Sequence, residues 1–205
     1  MTPEYSMNTP FPVRTDGKFT VEEYLAFIAS RPEEERWQLI DGVAMMMPPP
    51  TRRHQRLASN LARLLNAHFE KTRPDLYAYQ EIGLMVPDVA SFRPEADVAV
   101  LDSSSDGDDE PYADRFYLVA EVLSDSNTDK DIAVKRQRYL QHPDNLYFVL
   151  IEQKQVRLEV LARASGWETI VLDCHEDTLD LAEFGLRIGV GSLYRGTPLA
   201  QPVQA

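Results

Sequence analysis

Phe116-Tyr-Leu-Val-Ala-Glu-Val-Leu123 carries one charge in an otherwise uncharged, largely apolar run, and the reading of this stretch decides the fold. Apolar residues fall on both of its faces, the pattern of a central strand covered on two sides. Upstream, Ala96-Asp-Val-Ala-Val-Leu101 reads as a second inner strand, again interrupted by one acid. Residues 77–86 read as a third, ended by Pro87. Between them, residues 102–114 hold six acids, no base, and several Ser and Gly, which reads as a solvated loop. Downstream, residues 131–141 read as a helix that stops before Pro143. Residues 146–151, 156–162 and 167–172 read as strands, and a short apolar segment at 184–188 with a helical turn near Ser192 closes the domain.

The N-terminal part has its own signals. Thr20 and Glu23 match a capping box ahead of Val21, Tyr24, Leu25 and Ile28, which repeat at helical spacing. Asp41-Gly42 between two apolar runs predicts a tight hairpin, and Pro48 to Pro50 stop its second strand. A longer helix over about residues 52–71 puts Leu57, Leu61, Leu64, Leu65 and His68 on one face and Arg52, Arg56 and Arg63 on the opposite one. Residues 1–18, with three prolines, read as a tail, 19–195 as one α/β domain, and 196–205 as a second tail.

Composition bounds the function. The chain has 205 residues, with 21 Lys plus Arg against 33 Asp plus Glu, a formal charge of −12. That balance argues against a protein that coats nucleic acid by charge alone. Hydrophobic residues at 43% and charged residues at 26% are those of an ordinary soluble globular protein. No apolar run approaches the roughly 18 residues of a membrane span, and no basic start is followed by an apolar stretch, so neither a membrane anchor nor a secretory signal is expected. Cys174 is the only cysteine, which excludes an intrachain disulfide and a Cys-based zinc site and fits a reducing cytoplasm. Its neighbour His175 points away from it on a strand, and His68, His142 and His175 show no metal spacing. Met45 to Met47 read as strand packing.

The chemistry sits in the two interrupted strands. Asp97 and Glu121 are carboxylates in central strands, costly unless paired or bound to a metal. At about 4 Å apart they repel by roughly 4 kcal/mol at an effective dielectric of 20. A divalent cation offsets that, and a few hard oxygen ligands completed by water make the magnesium pattern. The plainer reading puts each acid at a strand end, in water or against an Arg. Asp131, Lys135 and Tyr139 are spaced by four on the next helix and share a face. Asp131–Lys135 is then either a surface ion pair worth about 0.3–0.5 kcal/mol, or Lys135 reaches the metal site to orient a water and stabilise phosphate charge. His54 falls on the apolar side of its helix, which suggests a hydrogen-bonded, half-buried place near the site.

Several stretches resemble the Uma family of restriction endonucleases, within the PD-(D/E)xK nuclease superfamily. They are Phe19-Thr-Val-Glu-Glu-Tyr-Leu25, Arg36-Trp-Gln-Leu-Ile-Asp-Gly42 with Met45 to Pro48, and Glu121-Val-Leu-Ser124 continuing to Asp131, Lys135, Tyr139 and Tyr147-Phe-Val-Leu-Ile151. His54-Gln55 follows the Pro-rich turn, where that family tends to have a His. The likeness covers about residues 18–195. It implies a restriction-endonuclease-like α/β fold, a central mixed β-sheet flanked by helices, with Asp97 and Glu121 as the motif acids. The motif Lys position is Leu123 here, and the resemblance moves that Lys to Lys135 on the following helix. Gln38 stands where the family commonly has a Glu that resembles an additional metal-side acid, and Val43 where it has another. Gln38 keeps an oxygen ligand but loses a charge, which lowers metal affinity. Ala96 replaces the motif Pro.

The expected function is therefore a magnesium-dependent endonuclease, with manganese as a substitute, acting on DNA. Asp97, Glu121 and Gln38 would hold the metal and Lys135 would place the water. Tyr139, His54 and Asp131 would support the site. Arg52, Arg56 and Arg63, with Lys130, Arg136 and Arg138, are candidate phosphate contacts, or simply a solvated face. A homodimer would gather two basic faces. The rival reading is a weakened nuclease fold that binds nucleic acid or a protein partner. A hydrolase of small phosphate esters ranks last, because no Gly-rich phosphate loop is present.

Overall fold

The computed structural model describes residues 18–89, 91–103, 111–125 and 128–201. Thr20 closes a complete capping box with Glu23 and starts α1 (Val21–Ala29). β1 (Arg36–Ile40) and β2 (Val43–Met47) form the expected hairpin. Asp41 at φ 47° and Gly42 at φ 83° both lie in the left-handed region, the type I′ geometry that Asp-Gly favours. Thr51 caps α2 (Arg52–Thr72), and β3 (Leu76–Leu84), β4 (Glu95–Asp102), the two-residue β5 (Tyr112–Ala113) and β6 (Leu118–Leu123) follow. α3 (Asp129–Gln141) then leads to β7 (Tyr147–Glu152), β8 (Leu158–Ala162) and β9 (Thr169–Leu172). A second hairpin, β10 (Thr178–Leu181) and β11 (Leu186–Gly189), precedes the short α4 (Val190–Leu193).

Seven strands make one mixed sheet in the order β5-β3-β4-β6-β7-β8-β9. β4 runs antiparallel to both of its neighbours, β3 and β6, and β6 and β7 are parallel. Parallel neighbours need a crossover, and α3 provides it. Alternation along the strands then sorts side chains between two cores. Val98, Val100, Leu118, Ala120 and Val149 meet Leu57, Leu61, Leu65 and Phe69 of α2. Ala99, Val119, Phe148 and Leu150 belong to the other core with Phe92, Phe116 and Tyr139. The β1–β2 hairpin lies over the start of β4, held by reciprocal Leu39–Arg93 backbone hydrogen bonds of 2.9 and 2.8 Å and by Gly42 N–H donating to Ser91 O.

Three sequence expectations need correction. The acidic loop is not continuous coil, because Tyr112 and Ala113 pair in parallel with Gly83 and Leu84 of β3. The apolar segment at 184–188 is the end of a hairpin whose first strand, Thr178–Leu181, alternates too briefly to stand out. The C-terminal tail does not begin at 196. Thr197 is buried and donates to Tyr194 O, and Leu199 packs on the α2-side core while its carbonyl meets His175 Nε2 at 2.7 Å. The N-terminal tail lies outside the described residues, apart from Lys18. Among the described residues no helix is long and apolar enough to cross a membrane.

Candidate functional site

β4 and β6 pair from Val100–Leu118 to Val98–Ala120. One residue further, the same register sets Asp97 opposite Glu121, and there the ladder ends. Val122 N–H donates not to a backbone carbonyl but to Asp97 Oδ2, at 2.6 Å. On the other side of β4, the pairs Gln80–Val98 and Ile82–Ala96 flank Glu81, which therefore faces Asp97 from β3. Glu81 sits at φ 52°, in the left-handed region that costs a non-glycine residue energy. Three acids, Glu81, Asp97 and Glu121, thus line up across three neighbouring strands where the sheet opens. Glu81 has no signal in the sequence except as an acid within a strand. Its place in the row depends on register.

The two inner acids are compensated differently. Glu121 is buried, and Lys135, equally buried on α3, reaches it with Nζ at 3.0 Å from Oε1 and 3.1 Å from Oε2. The third ammonium donor goes to Glu95 O at 3.3 Å. Tyr139, one turn on, donates its hydroxyl to Glu121 Oε1 at 2.9 Å. Burial, with the charge of Asp97 adding to it, outweighs the pull of Lys135 and leaves the Glu121 carboxyl raised to about 7. Burial, with the negative charge of Glu121, holds the Tyr139 hydroxyl well above its ordinary value, so it stays a neutral donor.

Asp97 is half-buried and meets His54 from the first turn of α2, with Nε2 3.2 Å from Oδ2. Burial lowers the His54 pKa, but the hydrogen bond and charge of Asp97, with Glu121 and Glu81 behind it, outweigh that and raise it. The start of a helix also favours a nearby anion. Thr51 fixes this end by accepting from His54 N–H and donating to Gln153 Oε1.

Gln38 is buried in β1, and among the described residues its Oε1 has no hydrogen-bond partner. It shares a strand face with Arg36, which pairs with Glu81 at 3.1 Å and also with Glu95, and with Ile40, which packs in the Tyr139 core. Its amide is therefore on the wall between those groups. An orphaned buried acceptor costs about 1–3 kcal/mol, which a ligand would relieve. Oxygen donors from Asp97, Glu121 and Gln38 suit a hard divalent cation. Among the described residues no three His, Cys, Asp or Glu side chains form a ready cage, so water would complete the shell, as magnesium tolerates.

The other candidates separate. Asp131 does not pair with Lys135. It is the third residue of the α3 capping box, accepting from Thr128 Oγ1 at 2.6 Å, because a carboxylate in a first turn satisfies the free N–H groups there. Arg136 and Arg138 are tied to Glu159 and Asp41, at 2.8 and 2.9 Å. Arg52 and Arg56 are exposed on the first turns of α2, and the Arg56 guanidinium lies against Gly196. Arg63, also exposed, lies about 13 Å further along the axis, next to Asn66, Glu70 and Tyr77 at the other end of β3. It does not join the Asp97 cluster.

A mixed sheet with an antiparallel β3–β4–β6 edge, a parallel β6–α3–β7 unit and acids at the opening defines a restriction-endonuclease-like α/β protein. The family Uma2, described as "Putative restriction endonuclease", matches residues 21–191. The chain belongs to that family. It is also similar to the crystal structure of a "putative nuclease belonging to DUF820" from Anabaena variabilis, with a TM-score of 0.68, 18% identity, and 86% of this chain and 97% of that one covered. At that identity the likeness establishes the fold. No curated protein matches the chain.

Proposed function

We propose that this member of a nuclease family is a metal-dependent endonuclease that hydrolyses DNA phosphodiester bonds at Asp97, Glu121 and Lys135. The observation that carries the reading is the opposed pair of acids at the open end of β4 and β6, with one ammonium inserted from α3. Asp97, Glu121 and the orphaned Oε1 of Gln38 would hold Mg2+ or Mn2+, which when bound polarises a phosphate and lowers the pKa of a coordinated water. The chain supplies the rest. Lys135 turns the donor now on Glu95 O toward the attacking water and offsets charge that builds on the phosphate. Tyr139 keeps Glu121 oriented, and His54 does the same for Asp97. Arg52 and Arg56 position the DNA backbone.

The test is to incubate the protein with plasmid and magnesium, then repeat with Asp97→Ala and Lys135→Ala. Cutting by the parent and loss of roughly a hundredfold or more in each variant supports the site. Cutting that survives both substitutions overturns it. A second reading, a binding module with a weakened metal site, is favoured by Gln38 in place of a carboxylate and by the engagement of both Glu121 oxygens by Lys135. Calorimetry separates the two, since the module would bind no manganese at millimolar concentration.

A further inference from the structure

A cavity of about 180 Å3 opens beside the row of acids, lined by Trp37, Glu81, Arg93, Glu95 and Tyr112 among others. This is smaller than the roughly 300 Å3 of a pocket for a drug-sized ligand. Its position is set by the strands. Glu95 is two residues from Asp97 on β4, roughly 7 Å away, and Glu81 is one strand over, roughly 5 Å away. A group bound here is within one nucleotide's reach of the proposed scissile phosphate.

The lining has the chemistry of base recognition. Tyr112 supplies an aromatic surface with the Arg93 guanidinium 5.8 Å from its ring centroid, and Trp37, whose ring also meets Phe27 and Arg31, borders the cavity. Unpaired bases stack on such aromatic and guanidinium planes. At the floor the chain closes tightly: a Cβ on Gly83 would lie 2.4 Å from Pro111 O, so only glycine fits. Arg36 joins Glu81 and Glu95 from behind, and both contacts run to Oε1. A carboxylate has about four acceptor sites, so each keeps capacity toward the cavity. The pocket therefore offers carboxylate acceptors together with the cationic donor Arg93. Guanine matches that arrangement, with ring N–H and amino donors beside the O6 acceptor on one edge. Thymine lacks the amino group, and adenine lacks the ring N–H and O6.

We propose that this cavity takes an unstacked guanine of the nucleic acid, next to the bond that is cut. The proposal rests on the nuclease reading and names its specificity pocket. The chain has two tryptophans, so Trp167→Phe leaves Trp37 as the only indole reporter. In EDTA, where no metal supports cutting, that protein is titrated with short single-stranded oligonucleotides that are abasic except for one guanine, hypoxanthine or thymine. The expected result is quenching of Trp37 and binding about tenfold tighter for guanine than for the other two bases. Tyr112→Ala should weaken binding of all three about tenfold, because it removes a stacking surface that every base uses. Equal affinity for all three bases, with Trp37 unquenched, overturns the pocket; if the parent protein still cuts plasmid with magnesium, the nuclease reading stands. No binding of any oligonucleotide, together with uncut plasmid, overturns both. The base panel on the Trp167→Phe protein decides the matter if Tyr112→Ala does not fold.

Discussion

The face of the central sheet that meets α2 is filled by Val98, Val100, Leu118, Ala120 and Val149, whereas the opposite face of the same strands carries Glu121, which meets Lys135 and Tyr139 of α3. The first face is held by apolar burial, worth about 1.5–3 kcal/mol per large side chain. The second holds a buried ion pair, whose desolvation cost offsets much of its attraction. Phe92, Phe116 and Phe148 make that second side apolar as well, so the two faces differ in the ion pair and the proposed chemistry set into the second. The contrast predicts that the two can be perturbed separately.

The largest expected effect is on the face that meets α2. Phe69→Ala removes a fully buried ring that packs edge-on against Phe184 at 5.4 Å between centroids, and should cost about 3–5 kcal/mol in urea denaturation. Cutting per folded molecule should not change. Lost cutting in molecules that remain folded would break the separation of the faces.

Next comes Lys135→Met, which leaves the buried Glu121 without its cation and should cost about 3 kcal/mol. Adding Glu121→Leu should recover most of that, because an apolar pair of similar volume avoids the desolvation cost. If the double variant is no more stable than the single one, the ion pair is a true stabilising element and the contrast fails.

A smaller effect concerns pH. The folded Glu121 keeps its proton to about 7, while the unfolded carboxyl loses it near 4.5. Its contribution to stability is therefore fully present below 4.5 and lost as pH rises through 7. Glu121→Gln should flatten that part of the Tm-against-pH curve, and an unchanged difference between the two proteins across that window would contradict the assigned cause. His54 acts in the same direction, because its raised pKa gives stability below 6.5 that is lost as pH rises through the folded value.

The smallest effect is at the start of α3. Thr128→Ala removes the side chain that accepts from Asp131 N–H at 3.1 Å and should cost about 1 kcal/mol of stability. An effect on cutting much larger than this would give Asp131 a role in the site after all.

Much of the fold was legible locally. The Asp41-Gly42 turn, the Thr20 cap, α2 with its Leu stripe and the uncharged run around Glu121 each carry their own instruction, because turn geometry, capping and side-chain period act within a few residues. The short strands at Tyr112 and Thr178 were not legible, since two to four residues show no period and exist only through their partners. Asp97 and Glu121 were singled out because charges in apolar strands are costly, Lys135 by its helical spacing to Asp131 and Tyr139 and by the family likeness, and His54 because it fell on an apolar helix face. The capping role of Asp131 was hidden by its four-residue spacing to Lys135, which fits a surface pair equally well. Glu81 was missed, and so was the tie from Arg36 to Glu81 and Glu95.

The sequence alone determined which side chains share a face, because that follows from a period of two along a strand or 3.6 around a helix. The tertiary structure alone decided that Glu81, Asp97 and Glu121 stand in one row, that Lys135 turns inward to Glu121 rather than outward to Asp131, and that Arg63 lies away from the site. Strand register and helix docking are fixed by contacts between residues far apart in the chain, and no local pattern encodes them.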